Sequence, residues 1–351
     1  MLTYAGLIAT GIVTAILSVL ICGRFKQTRI VDAPDGVRKH QAAPVSRLGG
    51  MGIVLSALIG GSLVSITMSL LNGPGASVFQ AELAWIIAHW QVAAFTAVTI
   101  QIGFNDDLGK AETIPKLLAQ LIIAALVAVF GLYPEALSTP WGDMELPVLL
   151  MTGSFLWLLV FTNAVNFMDG ANGLAMGGVA IMLIGLLIAG VTSGSFALSI
   201  WWIALFGGFL GFLVHNLSGQ LYAGDAGALG LGGLFASLSL VSGLNVWTIA
   251  TLALPFLIDV LLTLVWRARH GRNVLEPHLD HAYQGLIASG WSHLEAAVLC
   301  WGLCATAAVA AYIAALGGGA APFAVFWALL IAGCVLWSLH RRSTKLSHES
   351  R

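Results

Sequence analysis

Charged residues are scarce in this sequence. Only 9% of the 351 residues are Asp, Glu, Lys or Arg, whereas 58% are hydrophobic; a typical soluble domain carries about 25% charged residues. This composition excludes a soluble globular core. Apolar runs near 20 residues recur along the chain, and each can cross the roughly 30 Å hydrocarbon core of a bilayer. We therefore predict an all-α, polytopic integral membrane protein.

Cysteine is also rare, and its pattern is not that of a metal or redox site. The chain has neither a CxxC pair nor a His at ligand spacing from a Cys. We interpret the cysteines as small core or lipid-facing residues. They are Cys22, Cys300, Cys304 and Cys334. The first apolar run, 2–22, lacks a preceding basic segment and a small-residue cleavage pattern, so we expect a retained span and not a signal peptide.

Eleven apolar runs are predicted to span the membrane. They are 2–22, 50–71, 83–103, 117–133, 147–165, 174–192, 197–217, 230–246, 248–266, 294–316 and 322–340. The eighth run is short, and the eighth and ninth are also compatible with broken helices. The expected architecture is one membrane-embedded domain over 1–340, a bundle of about ten or eleven helices, with a short cytoplasmic basic tail over 341–351.

The basic residues indicate an orientation. All 15 Lys and Arg follow spans one, three, nine or eleven, which places them on one side of the predicted bundle. By the positive-inside rule this side is cytoplasmic, with the N-terminus outside and the C-terminus inside. The opposite loops carry acids or no charge, as in "PEALSTPWGDMEL".

Costly polar groups gather at helix ends on this predicted cytoplasmic side. The stretch "NAVNFMDGANGLA" (163–175) lies between two apolar runs, with no Lys or Arg within forty residues on either side. Four carboxylates lie at the ends of different spans, so we expect them to meet at a similar depth. They are Asp106, Asp107, Asp169 and Asp225. Oxygen ligands of this kind suit Mg²⁺, which can neutralise a pyrophosphate.

Two further features favour phosphate chemistry at the membrane surface. The glycines of "GDAGALGLGG" (224–233) allow a backbone to approach a phosphate, and a helix that begins there offers free N–H groups. Lys, Arg and His of the neighbouring loops supply positive charge.

Several residues have more than one interpretation. Asp106 and Asp107, taken alone, are also compatible with a solvated surface. The spacing of His278 and His281 in "HLDH" is too common to indicate a metal site. Asp259 lies inside the ninth span, where it is either a helix-packing partner or a link to the site. The remaining isolated histidines are interpreted as interfacial; they are His89 and His215.

Five sequence blocks resemble, in order and spacing, the polyprenyl-phosphate N-acetylhexosamine-1-phosphate transferases. These enzymes include those that start lipid-linked cell-wall, O-antigen and related glycan synthesis in bacteria. The blocks span 32–286: "DAPDGVRKHQAAPVSRLGGMGI", "NDDLG" with "PKLLAQ", "NAVNFMDGANGLA", "GDAGALGLGG" and "EPHLDHAYQGL". The resemblance implies transfer of a sugar 1-phosphate from a UDP-sugar to undecaprenyl phosphate with release of UMP. It also implies a requirement for Mg²⁺, with Mn²⁺ as a substitute.

The family motifs imply a role for each matching residue. Asp225 would be the principal Mg²⁺ ligand, with Asn166 beside it. Asp106 and Asp107 match an aspartate pair, of which one deprotonates or positions the lipid phosphate. Asp169 matches an essential acid that acts either as a nucleophile or as support for the metal site; a one-step and a two-step reaction both remain open.

The resemblance also implies substrate-binding residues. They are Lys116, Asn172, Asn216, Arg272, His278 and His281. Asn172 stands where the family usually has a second Asp, which favours a nucleotide-binding or structural role. The last block reads "HLDHAYQ" and is similar to a subgroup whose donors tend to be UDP-linked 6-deoxy N-acetyl sugars.

The expected partners are undecaprenyl phosphate, a UDP-N-acetyl sugar and the lipid bilayer. A homodimer is compatible with this interpretation, and no nucleic-acid partner is expected. The location would be the bacterial inner membrane, with the active site facing the cytoplasm. The competing hypotheses are a secondary transporter, which would place polar groups near the bilayer midplane and show a repeat, and a non-catalytic scaffold, which would have lost acids. Neither pattern is seen in the sequence.

Overall fold

The computed structural model describes residues 4–33, 43–72, 78–110, 112–194, 199–274 and 276–349. Within them the chain forms thirteen α-helices and four short strands. Part of the first motif block, 34–42, lies outside the described residues. So do three basic residues of the charge pattern: Arg38, Lys39 and Arg351.

The helices are α1 (Tyr4–Phe25), α2 (Gly49–Asn72), α3 (Val78–Ala88), α4 (Trp90–Asp107), α5 (Thr113–Val129), α6 (Pro147–Met168), α7 (Leu174–Thr192), α8 (Ile200–Asn216), α9 (Gly224–Leu240), α10 (Val246–Arg269), α11 (Ala282–Ala288), α12 (His293–Gly317) and α13 (Ala321–Glu349). Strand β1 (Val31–Asp32) pairs antiparallel with β2 (Val45–Ser46), and β3 (Leu137–Thr139) pairs antiparallel with β4 (Gly142–Met144).

The prediction of an all-α polytopic membrane protein is confirmed. Every predicted span corresponds to helical chain. Among the described residues, seven helices are long and apolar enough to cross a membrane, and α5 and α8 are shorter apolar helices. Helices α9 and α10 are each continuous. The bounds predicted for the eighth span, 230–246, are wrong, because its helix is Gly224–Leu240 and 241–245 form the connection to α10. The orientation of the termini stays a prediction.

The third predicted span, 83–103, is not a single helix. It is divided at His89 between α3 and α4, because the backbone of His89 leaves the helical region, with φ −115° and ψ 40°. The His89 ring nitrogen Nδ1 lies 2.9 Å from the carbonyl oxygen of Trp85. A side chain that competes for a carbonyl of the preceding turn is a common cause of a helix break.

The two ends of the bundle differ in chemistry. At the end that we call the site end, the last residues of α4, α6 and α8 meet the first residues of α5, α7 and α9; the amide N–H of Gly173, for example, donates to Asn216 Oδ1 at 2.5 Å. At the opposite end Trp247 Nε1 donates to the carbonyl oxygen of Ser138 in β3 at 2.5 Å. The motif residues described below belong to the site end.

Helix α9 is the central helix of the bundle. Fifteen of its seventeen residues are buried, and a helix that is apolar and small on all sides is expected in such a position. A Cβ on Gly103 of α4 would lie 2.2 Å from the carbonyl oxygen of Asp225, so the α4 and α9 backbones are in direct contact. Small residues permit such close packing between membrane helices.

The motif "GDAGALGLGG" therefore forms the first three turns of α9 and is not a loop. Its glycines face neighbouring helices: a Cβ on Gly227 would lie 2.6 Å from the Cα of Gly50, and one on Gly230 would lie 2.3 Å from Ile100 Cγ1. The structure thus uses these glycines for helix packing, whereas the sequence had suggested a backbone approach to a phosphate. In the first turn of the motif only Asp225 is partly exposed, and the amides of Asp225 and Ala226 are not the free N–H groups that the sequence suggested, because both donate to Asp107.

Gly224 opens α9 in a conformation that other residues adopt poorly. Its φ is +74°, and a Cβ would lie 2.0 Å from the carbonyl oxygen of Arg47. We predict that Gly224→Ala lowers the free energy of unfolding by more than the roughly 1–3 kcal/mol of backbone strain alone. Thermal unfolding in detergent would measure this loss. Gly153→Ala is the matched control, because nothing lies within 4 Å of its Cβ position; equal effects of the two changes would contradict the assignment.

Candidate active site

Three charged side chains from three helices meet at the site end. The Lys116 ammonium on α5 donates to Asp225 Oδ2 on α9 at 2.6 Å. It also donates to the Asp106 carboxylate at the end of α4. Both carboxylates are partly exposed, at 28% and 29% of their side-chain surface. The group is therefore open to a ligand, and the structure brings together residues that are distant in the sequence.

Asp107 has a different environment from its neighbour Asp106. Its side chain is completely buried. Oδ1 accepts a hydrogen bond from the amide of Asp225, and Oδ2 accepts one from the amide of Ala226, both at 2.9 Å. Asp107 thus satisfies backbone donors that the start of α9 would otherwise leave without partners. Its role in the structure is to hold Asp225 in place.

A salt-bridge network behind Asp107 fixes the chain that precedes α2. Arg47 donates to Asp32, and its Nη1 lies 3.8 Å from Asp107 Oδ1. The amide of Tyr222 donates to the carbonyl of Ser46 at 2.8 Å, so this segment also contacts the chain before α9. Sequence reasoning missed Asp32 and Arg47, although both lie inside the first motif block and their charges would have been a signal.

Asn166 and Lys116 lie at the same level on facing helices. One turn deeper in the bundle, Asn163 Nδ2 on α6 donates to Gln120 Oε1 on α5 at 2.5 Å. Lys116 is four residues before Gln120, and Asn166 is three residues after Asn163, so both are one turn nearer the site end. The amide pair, which sequence reasoning also missed, sets the register of these two helices.

Asp169 follows the last residue of α6. Burial, together with the negative charges of Asp225 and Asp107, raises the pKa of Asp169 well above its ordinary value. The carboxyl of Asp169 therefore takes up a proton more readily than an ordinary Asp side chain does.

The two remaining asparagines differ in their availability to a ligand. Asn216 is 5% exposed; its Oδ1 accepts from the Gly173 amide at 2.5 Å and its Nδ2 donates to the Leu221 carbonyl at 2.8 Å. Because both ends of this amide are used within the protein, Asn216 ties the start of α7 to the chain before α9. Asn172 directly precedes Gly173 and is partly exposed. Its backbone amide donates to His293 Nδ1 at 3.3 Å.

The segment between α10 and α11, residues 270–281, is called the last loop here because it contains the last motif block. Its histidines pack beside the turn that carries Asp169. The His278 and His281 ring centroids are 4.9 Å apart, and the Phe167 ring lies 5.8 Å from that of His281. Tyr283, which sequence reasoning missed, donates from its hydroxyl to the Phe167 carbonyl at 3.1 Å. The loop and the end of α6 therefore form one surface.

Three imidazole nitrogens on this surface are buried and have no hydrogen-bond partner in the part of the chain that the structure describes. They are His278 Nε2, His281 Nδ1 and His281 Nε2. Buried polar atoms without partners are rare in proteins and indicate a missing ligand or water. Arg272, by contrast, is half exposed and already pairs with Asp280 at 3.1 Å.

His278 is expected to be neutral near pH 7. Burial, followed by the positive charges of His281 and Arg267, lowers the pKa of His278 to about 4. The Asp280 amide donates to its Nδ1 at 3.3 Å, which leaves the proton of the neutral ring on Nε2. His278 therefore presents one N–H donor to a ligand.

The contrast between the two neighbouring aspartates can be tested by stability. Asp107→Asn turns one oxygen into a donor that faces a backbone N–H at the start of α9, which should cost about 1–3 kcal/mol of unfolding free energy. Asp106→Asn keeps the shape of a partly exposed group and should cost no more than about 1 kcal/mol. Thermal unfolding of both variants would compare them, and a larger loss for Asp106→Asn would reverse the assignment.

The neutral state of His278 predicts a pH dependence. Its pKa is lower in the folded chain than the ordinary value near 6.5, so its contribution to stability is complete above about pH 6.5 and is lost as the pH falls toward 4. His278→Gln should therefore show a shallower fall in melting temperature between about pH 6.5 and 4.5 than the unchanged protein. Identical pH profiles would show that His278 protonates freely.

Comparison with known proteins supports the family resemblance found in the sequence. Residues 89–243 match the sequence model described as glycosyl transferase family 4. The chain is 28% identical to the phospho-N-acetylmuramoyl-pentapeptide-transferase of Halalkalibacterium halodurans over an alignment of 314 residues. This alignment covers 84% of this chain and 92% of that protein. The chain is 27% identical over 292 residues to the decaprenyl-phosphate N-acetylglucosaminephosphotransferase of Mycobacterium leprae, which covers 75% and 71%.

A third relative points the same way. The probable undecaprenyl-phosphate N-acetylglucosaminyl 1-phosphate transferase of Bacillus subtilis is 26% identical over 276 residues, covering 75% of this chain and 71% of that protein. The matched segment includes the charged group at the site end, which is Asp106, Lys116 and Asp225. It also includes Asp169. The family model and the three relatives together support the resemblance of this chain to the polyprenyl-phosphate N-acetylhexosamine-1-phosphate transferases.

Proposed function

We propose that this protein transfers an N-acetylated sugar 1-phosphate from a UDP-sugar to undecaprenyl phosphate and releases UMP. The observation that carries the proposal is the group of Lys116, Asp106 and Asp225, which three helices bring to the site end. The relatives support the proposal, because all three are named as transferases of phosphorylated N-acetyl sugars. The names of two of them include a prenyl phosphate.

The reaction forms one P–O bond and breaks another. An oxygen of the lipid phosphate attacks the phosphorus that carries the sugar, and the bond from this phosphorus to the oxygen of UMP breaks. The lipid phosphate is already anionic, so the main barrier is repulsion between two negatively charged substrates. Lys116 reduces this repulsion because its ammonium can donate to phosphate oxygens. Of the aspartate pair, Asp106 is the residue that we propose to act on the lipid phosphate, because its carboxylate is partly exposed whereas that of Asp107 is buried.

The residues present fit a magnesium site. Asp225 and Asp106 offer carboxylate oxygens, and Asn166 offers an amide oxygen at the same level. Among the described residues no group of three or more His, Cys, Asp or Glu side chains is arranged to hold a metal ion, so the proposed ion would also need oxygens from the substrate phosphates, as Mg²⁺ commonly does. When bound there, the ion would neutralise charge on the diphosphate and on the departing UMP.

The last loop supplies the donor side of the site in this proposal. His278 has an N–H donor to offer, and both nitrogens of His281 are without partners in the described chain. These groups would bind the diphosphate or the sugar. The "HAYQ" sequence that begins at His281 is the feature that favours a 6-deoxy N-acetyl sugar as donor.

We place the reaction at the cytoplasmic face of the bacterial inner membrane. The support is the charge pattern, because the positive-inside rule assigns the end that carries the basic residues to the cytoplasm. UDP-sugars are water-soluble, whereas the prenyl tail must stay in the bilayer. A site at the border of the membrane can reach both.

The decisive assay is UMP release by the purified protein in detergent. The protein would be given undecaprenyl phosphate, Mg²⁺ and, in turn, UDP-N-acetylglucosamine, UDP-N-acetylgalactosamine and the UDP-linked N-acetylfucosamine and N-acetylquinovosamine. We expect release that requires both the lipid and the metal, is abolished by EDTA, and is fastest with a 6-deoxy donor. Release without the lipid phosphate would contradict the transfer.

Asp225→Asn should lower this release by at least about 100-fold while the protein stays folded, because its carboxylate charge is needed at the reacting phosphates. Asp143→Asn is the matched control; Asp143 is an exposed acid on β4 at the opposite end and should leave the rate unchanged. Normal turnover by Asp225→Asn would remove the metal assignment.

A folded wild-type protein that releases no UMP with any donor would favour the scaffold or transporter hypothesis.

A further inference from the structure

Asp259 is a buried carboxylate in the middle of the apolar helix α10. It is 6% exposed, and an acid in such a position is costly unless it has specific partners. The sequence left two interpretations open, a helix-packing partner or a link to the site. The contacts of its two oxygens decide between them.

The shortest hydrogen bond to Asp259 comes from α11. The amide of Ala282 donates to Oδ1 at 2.7 Å, and the amide of Tyr283 donates to Oδ2 at 3.4 Å. The contacts to the long helices are longer than the Ala282 bond: Thr263 Oγ1 on the same helix and Trp337 Nε1 on α13 donate to Oδ1 at 3.2 and 3.3 Å. Asp259 therefore makes its shortest hydrogen bond to the first turn of α11, and both of its oxygens accept from that turn.

Helix α11 depends on such contacts for its position. It has seven residues, and a helix of this length has little stability of its own. Its first turn is also tied to the active site, because the Tyr283 hydroxyl donates to the Phe167 carbonyl, two residues before Asp169. A continuous path of contacts thus leads from Asp259 through α11 to the acid at the end of α6.

His281 lies between two fixed points of the chain. On one side, Asp280 pairs with Arg267 of α10, and Arg341 of α13 donates to the Asp280 carbonyl at 2.5 Å. On the other side, Asp259 holds the amide of Ala282. The His281 ring itself is 2% exposed, and its Nδ1 lies 3.7 Å from Asp259 Oδ1, beyond hydrogen-bond distance.

We infer that Asp259 is a positioning residue for the transfer reaction: it holds the first turn of α11 and thereby fixes the His281 ring against the turn that carries Asp169. The inference rests on the proposed function. The inference also goes beyond the proposed function, because α10, the last loop and α13 lie outside the matched residues 89–243. A ligand-binding side chain held by a second layer of contacts is pre-organised, and small displacements of such groups are expensive in rate.

The test compares Asp259→Ala and Asp259→Asn with Thr263→Val. The Asn variant keeps an acceptor for Ala282 but removes the charge, whereas Thr263→Val removes a hydrogen bond to the same oxygen without contact to α11. Two readouts are needed. Hydrogen exchange reports the amides of 280–289 against those of α9, and UMP release reports kcat and KM for the donor and for undecaprenyl phosphate.

We expect Asp259→Ala to lower the donor kcat/KM by about 10- to 100-fold, with the KM for undecaprenyl phosphate unchanged within about twofold. Asp259→Asn should lose about 3- to 10-fold, because a hydrogen bond to a neutral acceptor is weaker than one to a carboxylate. Exchange should rise in α11 and stay unchanged in α9. Thr263→Val should change neither readout.

Several results would overturn the inference. They are equal effects on donor and lipid kinetics, equal effects of Thr263→Val and Asp259→Asn, or faster exchange in α11 without loss of activity. If Asp259→Ala does not fold, Asp259→Asn decides by the same criteria. A wild-type protein that releases no UMP would instead refute the proposed function, and exchange in α11 would still decide whether Asp259 holds this helix.

Discussion

The hydrogen bonds from the start of α9 to Asp107 are the interaction on which the rest of the site depends. They fix the first turn of the most buried helix against the end of α4, and Asp225 lies in that turn. Because α4 and α9 are in backbone contact at Gly103, neither helix can move without the other. Asp106 and Asp225 are therefore held on a closely packed pair of helices, and Lys116 joins them from α5.

Much of the fold could be predicted from the sequence because the bilayer imposes a simple rule. A helix that crosses it must be apolar over about 20 residues, and such runs predicted the helical bundle, in which seven helices of the described chain are long and apolar enough to span a membrane. The break at His89 was not foreseen, since one polar ring in a run of apolar residues changes hydropathy little. Helix α11 was missed because seven residues carry too short a pattern.

The candidate site was predictable in its membership but not in its division of roles. The motif blocks named the acids, Lys116 and the loop histidines, and the structure brings most of them to one end. The sequence "DD" alone does not reveal that the Asp106 side chain is partly exposed while that of Asp107 is buried, because that distinction arises from the partners of Asp107 on α9. For the same reason, the sequence did not reveal that the side chain of Asn216 makes hydrogen bonds at both ends within the protein; its contact with substrate stays a prediction.

Lys116 has a consequence for the order in which ligands occupy the site. Its ammonium compensates Asp106 and Asp225, so these acids can stay ionised at the membrane border before any ligand arrives, and assembly of the bundle does not wait for a metal. A cation that approaches Asp225 must compete with this ammonium, whereas an anion that draws the ammonium away removes the competition. By thermodynamic reciprocity, each ligand then raises the affinity for the other. One lysine side chain would thus couple metal and phosphate binding without any movement of the helices.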